Sequence, residues 1–144
     1  MFKKALFNNR ILNIVFLAIG MTYLLIMIKL LFLRGRHFGD YYMFNLMPFR
    51  TINNYLIHRE HFPFHTWFEN LIGNVVLFIP MGSFIPVLNR TYFKTLKFLA
   101  MSLTILFSVE LIQMLTWVGS FDIDDIILNN FGALIGLIMT RIIL

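Results

Sequence analysis

The chain has no cysteine, so disulfides, thiolate metal sites and thiol nucleophiles are excluded. Charge is also scarce. Only 13% of the 144 residues are charged against 59% hydrophobic, and mean hydropathy is +0.78. A soluble domain this small has too little interior to hide that much apolar surface. The apolar runs lack the strict alternation, over segments of about 10 residues, that a transmembrane β-barrel needs. No small-residue cleavage site follows the first apolar run, so that run is expected to be a retained span, not a removed signal peptide. There is no internal repeat and no low-complexity tract. What remains is a single α-helical integral membrane domain. The net charge of +5 is expected to set orientation and does not argue for nucleic-acid binding.

Four stretches reach the ~20 residues needed to cross a bilayer: 11–33, 67–88, 98–118 and 126–144. The expected fold is all-α, a bundle of four transmembrane helices with a long outer loop between the first and second. Three regions follow: a cytoplasmic segment with the first helix (1–34), the outer loop (35–66) and a three-helix core (67–144). With the N-terminus inside, the inner segments carry Lys3, Lys4, Arg10, Arg90, Lys94, Lys97 and Arg141 and no acid. The outer segments hold Asp40, Glu60, Glu69, Asp122, Asp124 and Asp125 beside Arg34, Arg36, Arg50 and Arg59. This bias predicts both termini on the cytoplasmic side. Trp67 and Trp117 then fall at the outer interface, where indoles sit well, and Lys29 snorkels outward along its own stem.

Against this apolar background Glu110 stands out. A carboxylate within a span costs about 2.5 kcal/mol or more on insertion scales, so such a group normally faces a bundle interior or a water-filled cavity. At 1.5 Å per residue, Glu110 lies about 10 Å below Trp117. Asn70 and Asn74 lie about 5 and 10 Å below Trp67, and Asn129 and Asn130 about 6 to 8 Å below Asp125. The pairs Asn70/Asn74, Glu110/Gln113 and Asp125/Asn129 are spaced to share helix faces. Three polar stripes at one depth predict an outward-opening polar pocket rimmed by Asp122, Asp124 and Asp125. The acids at the start of the fourth helix also suit the capping of its free N–H groups. Gly73, Gly132 and Gly136, with Ala133, permit close helix packing, and Pro80 is expected to bend the second helix.

The outer loop is too long to be a structureless connection. Its stretch 41–56 is rich in aromatic and aliphatic residues, and is expected to lie on, or dip as a re-entrant segment into, the outer surface. Arg50 is the one base there, suited either to pair with Glu110 or to meet a phosphate bidentately. His37, His58, His61 and His65 all fall in the loop without a recognised metal-ligand spacing, and are read as solvated.

Several runs resemble the VanZ-like family. They are Asn45-Leu46-Met47-Pro48-Phe49, the run from Glu69 to Asn74, Phe78-Ile79-Pro80-Met81-Gly82 with Pro86, Glu110-Leu111-Ile112-Gln113, and Phe121-Asp122-Ile123-Asp124-Asp125 to Asn129 with Gly132 and Gly136. The motifs fall in order over about residues 45–136. The resemblance implies a multi-pass protein of the bacterial cell membrane. The family's founding member is associated with low-level resistance to teicoplanin, a lipoglycopeptide acting on cell-wall precursors. Many members carry an Arg shortly before the Asp-rich motif. Here Gly119-Ser120 occupy that region, so Arg50 would have to serve instead.

Three functions compete at this stage. The first is a binding module for a lipid-linked cell-wall intermediate or a lipoglycopeptide, with Arg50, Asn70, Asn74, Glu110, Gln113, Asp122, Asp124, Asp125 and Asn129 as ligand-binding residues. The second is a membrane-embedded hydrolase or transferase on a lipid phosphate, with Glu110 as general base and Mg²⁺ on Asp122, Asp124 and Asp125. No obvious nucleophile supports it, and it ranks below the first. The third is lipid or solute transport, for which four spans would need an oligomer. Helix–helix hydrogen bonding alone would account for the asparagines, but it does not require a carboxylate at Glu110.

Overall fold

The computed structural model describes residues 9–33 and 42–144. Lys3, Lys4, Arg34, Arg36, His37 and Asp40, used above for orientation and the loop, lie outside them. Helix α1 (Arg10–Phe32) starts at Asn9, whose side chain accepts the Ile11 N–H at 2.8 Å. A two-residue strand β1 (Phe44–Asn45) leads to α2 (Arg50–Ile57) in the outer loop. Helix α3 (Phe64–Phe68) passes through a π-helical turn at Glu69–Gly73 into α4 (Asn74–Leu88). A 3₁₀ turn at Arg90–Phe93 connects to α5 (Thr95–Leu115), then strand β2 (Phe121–Asp122) and α6 (Ile123–Ile143). Among the described residues, four helices are long and apolar enough to cross a membrane: Arg10–Phe32, Phe64–Leu88, Thr95–Leu115 and Ile123–Ile143. The fold is therefore all-α and multi-pass.

The expected spans are displaced by up to three residues. Helices α5 and α6 include polar residues in their first turns, Thr95 and Lys97 in one and Asp124 and Asp125 in the other, that hydropathy does not count. Helix α5 stops at Leu115 because Trp117 adopts a left-handed φ of 61°, and the Val118 and Gly119 N–H groups turn back to the Gln113 carbonyl. Helix α4 runs on through Pro80 and Pro86. The irregularity in that span is the π-turn, which ends about two turns before Pro80.

The core is the α4–α6 crossing. Gly82, Gly132 and Gly136 face backbone there, and a Cβ on Gly132 would sit 2.0 Å from the Val75 carbonyl oxygen. Phe78, Phe98, Leu106, Ala133 and Leu137 fill the space around it. Helix α5 joins through Ser102, wholly buried, which reaches Asn130 Oδ1 at 2.6 Å. Ser102→Ala should lower stability by about 0.6 to 1.7 kcal/mol, the range for hydrogen bonds between membrane helices. Detergent-titrated unfolding measures this, and an unchanged midpoint would show that the bond contributes nothing.

Helix α1 stands at the edge, with Met27 its one buried residue. It meets α4 through Phe16 and Tyr23 against Phe84, with ring centroids 4.8 and 5.9 Å apart, and through a Tyr23 hydroxyl bond to the Leu77 carbonyl at 2.9 Å. The outer loop is tied down by a parallel bridge, Phe44 opposite Phe121 and Asn45 opposite Asp122. Helix α2 has no buried residue, and Leu56 and Ile57 are exposed. It lies on the bundle's end and does not thread into it.

Candidate functional site

At the loop end of the bundle, α1, α4, α5 and α6 enclose a cavity of about 400 Å³. Asn70 and Asn74 reach it from the second span, Glu110 and Gln113 from α5, and Asp125 and Asn129 from α6. Glu110 is five residues from the end of α5 and Asn129 six from the start of α6, so both lie about 8 to 9 Å along their axes from that end. Val118, Gly119 and Ser120, in the turn after α5, also line it.

Sequence reasoning omitted Glu69 from the site, and it also lines this cavity. It lies two residues after Trp67, which was read as the start of the span. The helix begins earlier, at Phe64, and carries Glu69 inside. Residues 69, 70, 73 and 74 share the cavity side of this stretch, as their i, i+1, i+4, i+5 spacing allows, and π-turns recur at functional sites. The Asn70 side chain holds the Thr66 carbonyl at 2.6 Å in this stretch.

Several of these polar groups have structural partners. Gln113 Nε2 donates to the Leu31 carbonyl at 2.9 Å, covering one of the open carbonyls in the last turn of α1. Asn74 Nδ2 donates to Asp125 Oδ1 at 2.8 Å across the α4–α6 seam. Glu110, only 3% exposed, accepts the Asp122 N–H on Oε2 at 3.2 Å. Asn129 is 2% exposed, and its Oδ1 has no hydrogen-bond partner. A buried acceptor left open costs about 1 to 3 kcal/mol unless water or a ligand supplies the donor.

Asp122 and Asp124 stand elsewhere. Asp122 caps α6, accepting the Asp124 N–H at 2.9 Å. It also accepts the Thr51 hydroxyl at 2.6 Å and the Asn45 amide at 3.1 Å. Asp124 is fully buried, and its two oxygens accept the Phe49, Thr51 and Ile52 N–H groups at 2.6, 2.7 and 3.1 Å. It was expected to cap its own helix, yet it caps α2. Asp125 turns the other way, toward Asn74. The three carboxylates thus serve different partners, and among the described residues no three His, Asp or Glu groups are placed to share a metal ion.

Arg50 is exposed in the first turn of α2 and lines a second cavity, of about 710 Å³, together with Asn53, Asn54, His58 and Asp122. Glu110 does not reach that cavity. Ser120 borders both, so the acidic pocket and the cavity that holds the arginine are neighbours. His58, His61 and His65 are exposed.

Comparison with known proteins covers nearly the whole bundle. Protein VanZ of Enterococcus faecium is 33% identical over 96 residues, 65% of this chain and 49% of that protein. The chain thus spans about half the length of this curated relative. No solved structure matches it. The VanZ/LLP1 family profile matches residues 14–144, from the first span through the last, and the chain belongs to that family.

Proposed function

We propose that the cavity around Glu110 is a binding site at the outer face of a bacterial cell membrane. There it takes a polar part of a lipid-linked cell-wall intermediate or a lipoglycopeptide, and so contributes to teicoplanin resistance. The observation that carries this is the pairing of a buried carboxylate with an unpartnered buried acceptor, Asn129 Oδ1, on the wall of one polar cavity. Packing alone gives no reason to keep either in an apolar span. Arg50, next door across Ser120, is suited to a phosphate of the same ligand.

The orientation is part of the proposal. All the described acids lie toward the loop end of the bundle, while Arg90, Lys94, Lys97 and Arg141 gather at the opposite end without an acid. Helix α1 runs antiparallel to α4, since Phe16 meets Phe84 near the end of α4 and Leu31 meets Gln113 near the end of α5. Arg10 therefore joins the basic end. By the positive-inside bias that end, with both termini, faces the cytoplasm.

The test is teicoplanin susceptibility of cells carrying wild-type protein or Glu110→Gln. The substitution keeps size and one acceptor but removes the carboxylate. It should abolish protection at equal membrane abundance. Full protection by the variant would overturn the assignment.

A further inference from the structure

Helix α2 is eight residues long, well short of the roughly 12 that an isolated helix needs to be even marginally stable in water. Part of its support comes from Asp124, which takes the N–H groups at its start. The rest must come from its faces. At about 100° per residue, Ile52, Tyr55 and Leu56 fall on one side and Arg50, Asn53 and Asn54 on the other. Asn54 and Leu56, two residues apart, are therefore on opposite sides.

Protein does not close the apolar side. Ile52 and Tyr55 are only half-buried, and Leu56 is exposed. Leu46, before the helix, and Phe64, after it, are exposed as well. These three are 59% to 66% exposed, as open as Ile14, Ile19 and Leu25 of the first span at 55% to 60%. None of them lines either polar cavity. Exposed apolar surface of this kind marks a contact with protein or with a membrane.

Continuity with the spans decides between the two. The Tyr55 ring meets Phe62, with centroids 4.9 Å apart. Two residues on, Phe64 opens the second span and packs on Trp67 and Phe68 at 5.1 and 5.2 Å. The apolar side of α2 thus runs through a chain of rings into a membrane helix. Just past the end of α5, Tyr42 packs on Trp117 at 4.6 Å. Aromatic rings gather where a bilayer meets water, and both groups lie at the loop ends of their spans.

We infer that α2 is an interfacial helix whose partner is the headgroup–acyl boundary of the membrane at the loop end of the bundle. Leu56 and Leu46 sink into that boundary, while Asn53 and Asn54 face water. A helix with one apolar and one polar side lies in this plane with its apolar side about 5 to 10 Å deep. The outer loop is then held from two directions, by Asp124 from within the bundle and by lipid from outside. What the Glu110 cavity binds has no bearing on this contact.

The chain has no cysteine, so a single introduced cysteine carries a nitroxide label without background. Full-length protein labelled at Leu56→Cys, Leu46→Cys or Asn54→Cys is placed in phosphatidylcholine vesicles. Power saturation of the EPR signal compares collisions with oxygen, which concentrates in the bilayer, and with a water-soluble nickel chelate. The oxygen-to-nickel ratio should be about fivefold higher at Leu56 and Leu46 than at Asn54, as immersion of the apolar side alone implies. Leu46→Cys carries the comparison if Leu56→Cys fails to fold. A ratio at either leucine equal to that at Asn54 would overturn the docking and leave the loop in water. Shielding of Leu56 from both reagents would overturn it too, because the face would then be covered by protein, a second copy of this chain included.

Discussion

Asp124→Asn should release the outer loop from the bundle, and trypsin should then cut at Arg50 and Arg59 about a hundredfold faster than in wild type. The carboxylate is fully buried and gathers three backbone N–H groups at the start of α2. Bonds to a charged acceptor contribute about 1.5 to 3 kcal/mol each, and the N-terminal dipole of α2 adds to them. An amide in that place keeps one acceptor and turns an NH₂ toward backbone donors. A net loss of about 3 kcal/mol corresponds to the hundredfold rise in the open population that trypsin samples. The Phe49 backbone adds to the sensitivity. Its φ of 64° is left-handed, a conformation that costs a non-glycine residue about 1 to 3 kcal/mol and persists only where its surroundings hold it. Here its N–H bond to Asp124 is part of that hold. Thr51→Val removes the hydroxyl's bond to Asp122 and the one it accepts from the Asn45 amide, leaves the three N–H bonds to Asp124 in place, and should raise cleavage only about tenfold. Proteolysis of vesicle-embedded protein measures both, and equal cleavage of Asp124→Asn and wild type would show that the loop is held by something else.

Asp124 also marks where the sequence ceases to be informative. The four spans were legible because hydropathy and length decide them almost alone. Asn70, Asn74, Glu110, Gln113, Asp125 and Asn129 could be placed at one depth because rise per residue and i,i+4 spacing are fixed properties of a helix. The structure arranges all six around one cavity. The partners of Asp124, by contrast, are main-chain amides of residues 49, 51 and 52, more than seventy positions away. A backbone donor leaves no trace in side-chain pattern, so the acid read as the start of its own helix. The same limit hid the β1–β2 bridge, two residues long with no alternation to detect. It also separated Arg50 from Glu110, which loop composition alone had made plausible partners. Glu69 was missed for a different reason. The indole of Trp67 suits an interface, so the span read as starting there, whereas the helix begins at Phe64 and carries Glu69 inside.

Gly132→Ala should lower stability by about 3 kcal/mol or more. Its added Cβ would lie 2.0 Å from the Val75 carbonyl oxygen and 2.8 Å from the carbonyl carbon. Both are backbone atoms inside α4, so no rotamer change relieves the contact, and the helices must separate. Their separation spoils the neighbouring approaches, which are equally close: a Cβ on Gly136 would lie 1.9 Å from the Ile79 carbonyl oxygen, and one on Gly82 1.8 Å from the Ala133 oxygen. In a bilayer, apolar burial gives helices little drive to associate, and close packing of small residues carries much of that burden. A loss of this size is a large share of the 5 to 15 kcal/mol that typical domains possess. Gly73→Ala is the control. Its Cβ would meet nothing nearer than 3.8 Å, so it should be neutral or slightly stabilising through helix propensity. Detergent-titrated unfolding separates the two, and a Gly132→Ala midpoint equal to wild type would refute the packing argument. The consequence reaches the site as well. Asn74 on α4 bonds Asp125 on α6 across the same seam, so helices pushed apart at Gly132 pull that bond and the cavity wall open. On the proposed binding role, Gly132→Ala should therefore also lose teicoplanin protection, even where some folded protein survives.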